Sequence, residues 1–124
     1  MLAASAGVDT LELSSAISKL AWRYSGEPST VFDLRTVTLR LVDYQLREIA
    51  ERIGAGERAV LALTSIGENP ASAPLARGAD CVIVCAAPGK TPLKSVQAAI
   101  QQVGRDRVIG SLLVERAAEG SRAR

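Results

Sequence analysis

Gly89-Lys90-Thr91 is the triplet in this chain that most invites a chemical reading. A continuous apolar stretch, Cys81–Ala86, precedes it and a helix opens at Thr91-Pro92. That order would set a lysine and a hydroxyl beside the free N–H groups of a helix N-terminus, where phosphate is bound. A full phosphate loop also needs a glycine five positions before Gly89, and Val84 stands there. Lys90 and Thr91 therefore read as a structural turn with a weak affinity for anions. Asp33 and Arg35 close a second apolar stretch. The carboxylate could hold a metal, or the two side chains could simply pair with each other or with Lys90. Thr64 and Ser65 end a third stretch; without a base to activate them they read as strand-end caps rather than nucleophiles. Asp9 and Thr10 stand at a helix start, where a carboxylate caps free N–H groups and suits the dipole.

Composition narrows the chemistry further. The 124 residues contain no histidine, which removes the commonest general base and metal ligand and with it any Ser-His-Asp or Cys-His mechanism. Cys81 and Cys85, four apart on one strand, would face the same side roughly 13 Å apart, too far for a disulfide with each other. Two thiols alone make no metal site. They read as buried, inert cysteines of a reducing, cytoplasmic compartment. A net charge of +2 is too small for a nucleic-acid surface, although Arg105, Arg107, Arg116, Arg122 and Arg124 make the C-terminal end locally basic. No apolar run nears the ~20 residues of a membrane helix, and no cleavable signal pattern is visible. With 48% hydrophobic and only 3% aromatic residues, the chain should pack one small aliphatic core.

The elements that must position these residues follow from periodicity. Leu2–Ser5 reads as the end of a first strand. Leu13, Ile17, Leu20 and Tyr24, with Ala16 and Ala21, form a helical stripe that Gly26 and Pro28 end. Trp22 falls off the centre of that stripe and should be partly buried against a loop. Thr30–Leu34 and Ala59–Thr64 are strands. Between them the spacing of Leu39, Val42, Leu46, Ile49 and Ile53 predicts a helix from about Thr36 to Gly54, supported by Asp43–Arg47, Arg47–Glu51 and Glu48–Arg52 pairs. Asn69-Pro70 and Pro74 make Gly67–Gly78 a loop with at most a short helix. After the strand Cys81–Ala86, Thr91 should cap a helix that has Pro92 at its first position and turns Leu93, Val96, Ile100 and Val103 to the core. Val108–Val114 is the last strand. Strand and helix alternate with no hairpin signal, so the expected fold is α/β: a small three-layer sandwich of about five mostly parallel strands with helices on both faces. One domain should span 1–115, with 116–124 a flexible basic tail.

The stretch Leu75–Val114, LARGADCVIVCAAPGKTPLKSVQAAIQQVGRDRVIGSLLV, carries a resemblance. An Ala-Asp pair precedes an apolar strand, then come a Gly-Lys-Thr turn, a helix and an Ile-Gly strand. With AVLALTS at 59–65 and VFDLR at 31–35, it resembles the cytoplasmic P-loop ATPase domain of bacterial tyrosine kinases of capsular and exopolysaccharide biosynthesis. These belong to the deviant-Walker ATPases. The resemblance would make Met1–Leu20 the first strand, phosphate loop and first helix, with Gly7, Asp9 and Thr10 at the phosphates.

The departures from that pattern decide what it implies. Ala6-Gly7-Val8-Asp9-Thr10 has one glycine, and Asp9 stands where the family's lysine would lie. At 4 Å and an effective dielectric near 20, one unit charge is worth about 4 kcal/mol, so exchanging attraction for repulsion should abolish most nucleotide binding. Leu63 replaces the magnesium-holding aspartate, Val31 the first acid of the Val31–Asp33 pair, and Val114 the base-contacting asparagine. The resemblance thus implies a non-catalytic, pseudo-ATPase domain without cofactor. It would regulate or scaffold polysaccharide synthesis or export, with a membrane polysaccharide co-polymerase or an active kinase as protein partner. The alternative is a surviving nucleotide- or phosphate-binding enzyme. It would take ATP and magnesium through Lys90 and Thr91, or Gly7 and Thr10, with Asp33 on the metal.

Overall fold

The computed structural model describes residues 1–115; the tail expected at 116–124 lies outside the described residues. Elements alternate from the start: β1 (Leu2–Ala3), α1 (Thr10–Ser25), β2 (Ser29–Asp33), α2 (Val42–Gly54), β3 (Arg58–Ala62), α3 (Ser72–Arg77), β4 (Val82–Ala86), α4 (Leu93–Val103) and β5 (Val108–Leu113). Every strand pair is parallel, in two sheets ordered β1-β4-β5 and β2-β3. A single parallel bridge, Leu2 to Leu63, joins them. Leu63 donates its N–H to the Met1 carbonyl (2.9 Å) and accepts from Ala3 N–H (3.3 Å). Across that bridge the strands run β2-β3-β1-β4-β5, with β1 central. The chain is a small mixed α/β domain with helices on both faces. α1 packs on β2 and β3 from one side; α2, α3 and α4 contact one another in series, and α4 lies on β4.

The core lies on the three-helix side. Leu2, Leu63, Val82 and Val84 of the strands meet Leu34, Val42, Ile49, Leu75, Ala99 and Val103. Leu75 and Val84 are fully buried. In α4, Ala99 and Val103 take the buried positions, and Leu93, expected inward, is exposed. A small Ala99 side chain lets the helix approach β4 closely.

Several expectations about local structure are corrected. α2 starts not at Thr36 but after a single 3₁₀ turn, Leu39–Leu41. The run Thr36-Val37-Thr38 is β-branched and resists helix, and the Asn69 side-chain amide takes up the carbonyls of Arg35 and Val37. The ion pair found at the end of α2 is Arg52 with Glu57, 3.5 Å apart, in place of the three intrahelical pairs. In α1 the fully buried positions are Thr10 and Ser14, while Leu20 and Tyr24 are exposed. β2 and β3 lie beneath this helix, and its most buried line runs through the small polar residues Thr10 and Ser14, with Leu13 and Ile17 of the apolar stripe half-buried beside it. Trp22 is 57% exposed rather than tucked against a loop. Cys81 precedes β4 and is exposed, so only Cys85 is a buried cysteine. Burial pushes the Cys85 thiol above its ordinary value.

Candidate functional site

In a parallel sheet the loops that follow the strands gather on one edge, and ligands bind where neighbouring strands lead away in opposite directions. Here β1 leads to β2 on one side while its neighbour β4 leads to β5 on the other. The loops after β1, β2, β3 and β4 carry Gly7, Asp9, Arg35, Thr64, Ser65, Lys90 and Thr91, and Asp33 is the last residue of β2. All the expected site residues, with Thr10 at the start of α1, therefore belong to this carboxyl edge.

They form two groups. The first is centred on Arg35. Its Nε donates to Asp33 Oδ1 (2.8 Å) and Nη2 to Asp33 Oδ2 (3.0 Å), a two-pronged pairing that matches guanidinium to carboxylate. Nη1 lies 3.6 Å from Asp9 Oδ1. Asp33 thus pairs with Arg35 and not with Lys90. The Arg35 hydrogen bond, partly opposed by desolvation, holds the Asp33 carboxyl below the usual carboxylate range. Asp9 is the N-cap of α1: its Oδ1 accepts from the N–H groups of Leu11 and Glu12, both at 3.1 Å. Gly7, at φ +89°, makes the left-handed bend that carries the chain from β1 to this cap. Thr10 does not share in the capping. It is buried, and its hydroxyl donates to Leu63 O (2.9 Å), tying α1 to the bridge between the sheets.

The second group stands over β1 and β4. Thr91 Oγ1 accepts from Ala87 N–H (2.9 Å) and shares a hydrogen bond with Ser5 Oγ (2.8 Å). This closes the Pro88-Gly89 turn, with Gly89 at φ +77°, and leaves the N-cap of α4 to Pro92 without a side-chain bond. Thr91 is therefore a turn clasp rather than the expected helix cap: its hydroxyl faces back toward β1. Lys90 is exposed at the rim and joins no ion pair among the described residues. Thr64 Oγ1 donates to Arg35 O (3.3 Å), and Ser65 Oγ donates to Glu68 Oε1 (3.1 Å).

Two residues outside the expected set complete the edge. Asn69 donates to Arg35 O (3.2 Å) and Val37 O (2.8 Å) and accepts from Ala71 N–H (3.0 Å), so it fastens the loop after β3 to the loop after β2. Asn-Pro marked a turn in the sequence, but nothing local named its partners. Ser5 carried no signal at all. Between the first and third loops and α4 lies a cavity of about 520 Å³, with Ser5, Ser65, Ser95 and Gln102 on its wall and no charged side chain. No group of three or more His, Cys, Asp or Glu able to hold a metal occurs among the described residues, and no helix there is long and apolar enough to cross a membrane. Compared with known proteins, the chain matches no family model, no curated protein and no solved structure.

Proposed function

We propose that this chain is a non-catalytic domain on a degenerate P-loop NTPase scaffold. In this reading it regulates or scaffolds bacterial exopolysaccharide synthesis or export through protein contacts, with a polysaccharide co-polymerase or an active kinase as partner. The observation that carries the reading is the occupancy of the α1 N-terminus by the chain's own Asp9. The N–H groups that would receive a phosphate already serve a carboxylate, and Arg35, the nearest cation, is committed to Asp33 and Asp9. A triphosphate entering there would meet a negative charge where it needs a positive one. The neighbouring cavity offers it hydroxyls and an amide but no cation.

Titrating the protein with a fluorescent ATP analogue in excess magnesium tests this. No saturable response is expected. Saturable micromolar binding that Lys90→Ala abolishes would instead establish the ATP- and magnesium-dependent alternative, with the phosphates on the β4–α4 turn.

A further inference from the structure

At the amino edge of the sheet, opposite the candidate site, the last turns of α1 and the start of β2 enclose a groove of about 660 Å³ lined by Ser18, Lys19, Trp22, Arg23, Pro28 and Ser29. We infer that this groove binds an acidic, extended segment of a protein partner, with an apolar side chain against Trp22 and carboxylates on Lys19 and Arg23. The proposal rests on the reading of the chain as a contact domain only in taking the occupant to be protein.

Three observations carry it. Lys19, Trp22 and Arg23 are spaced i, i+3 and i+4, so one face of α1 presents two cations beside an indole. Trp22 is 57% exposed, although burying an indole on folding is strongly favourable and the most buried line of α1 is taken by small residues. Trp and Arg in a recess are the side chains that most often dominate partner binding. Finally, the charge of the groove is unbalanced. No acidic side chain lines it, neither Lys19 nor Arg23 is in an ion pair among the described residues, and the nearby Glu27 is held by Arg58. Arg23 lies in the last turn of α1, where it offsets the helix dipole. Lys19, a turn earlier, has no such role. Ser18 and Ser29 hydrogen-bond to each other across the floor, fixing α1 on β2 so that the groove is preformed.

Nucleic acid is the competing anion. It is disfavoured because the groove has two cations rather than a basic stripe and the whole chain carries only +2.

Trp22 is the only tryptophan of the chain, so its emission reports the groove directly in the intact protein. The probe is a synthetic peptide of alternating Glu and Leu, with a Lys-Leu peptide and an oligothymidylate as comparisons. A saturable blue shift with the Glu-Leu peptide, weakened by salt, is expected. The affinity should fall by about tenfold or more in Lys19→Glu/Arg23→Glu. Lys19→Gln, a milder change at an exposed position, should give a smaller loss and serves if the double variant misfolds. No saturable shift, an equal response from Lys19→Gln, or tighter binding of the Lys-Leu peptide or the oligonucleotide would overturn the proposal. Failure here leaves the ATP titration unaffected, and ATP binding at the far edge would leave this groove unaffected, so the two readings fail separately.

Discussion

Arg35 shows how one side chain can decide what an edge is able to bind. Its guanidinium meets Asp33 in a fork and Asp9 at 3.6 Å, while its carbonyl accepts from both Thr64 and Asn69. The guanidinium and the carbonyl of Arg35 are thereby both satisfied within the chain. The carboxyl of Asp33 should titrate, by NMR, below the ordinary value near 3.9, and Arg35→Ala should move it upward. The sign of the linked stability follows. A carboxyl with a depressed folded-state pKa contributes fully above its unfolded value, and that contribution fades as pH falls through the folded one. Asp33→Asn should therefore narrow the stability gap to the native chain as pH drops, and by a small amount, because Arg35 and Asp33 keep 32% and 46% of their side-chain exposure. The Asp9 cap was legible in the sequence because capping is settled within three residues. The Arg35–Asp9 approach was not, because it joins loops that follow different strands.

At the scale of elements, the strands are legible in the sequence and the helix faces less so. Short apolar runs such as Val82-Ile83-Val84 or Val31-Phe32 are bounded by turn residues and leave little freedom of interpretation. Helix faces depend on what lies beneath them. The Leu13–Tyr24 stripe of α1 is a real periodicity, but the most buried line runs through Thr10 and Ser14. The start of α2 is hidden from the sequence for a related reason, since carbonyls offered to a helix by Arg35 and Val37 are taken by Asn69, more than thirty residues on. That clamp is open to measurement. Asn69→Ala removes three partly buried hydrogen bonds at about 0.5–1.5 kcal/mol each and should lower unfolding stability by roughly 2–3 kcal/mol in a urea titration. Asn69→Asp keeps the acceptor for Ala71 N–H but sets a carboxylate against two carbonyls, so it should not rescue. Rescue by Asp would show that the bond to Ala71 alone matters.

The whole molecule raises the question of whether two small sheets behave as one body. Two strands, β2 and β3, and the helix above them meet the other three through the Leu2–Leu63 bridge with its flanking backbone hydrogen bonds, and through the Met1 nitrogen, which donates to Leu61 O. A connection that narrow could let each half unfold alone. The core argues otherwise. Leu34, Val42 and Ile49, which follow β2, share one cluster with Leu2, Val82, Val84 and Ala99, and Leu75 sits fully buried among them. α3 has only six residues and could not persist outside that cluster. Leu75→Ala should therefore cost about 2–5 kcal/mol, whereas Leu113→Ala, at a side chain 73% exposed on the edge strand, should stay within about 0.5 kcal/mol of the native chain. The decisive reading is where the Leu75 loss registers. Trp22 reports the α1–β2 half and far-ultraviolet circular dichroism reports all the helices, so in a single cooperative unit both midpoints fall together. If the Trp22 transition stays in place while the dichroism transition moves, the bridge is a hinge between separately stable halves, and the shared core does not couple them.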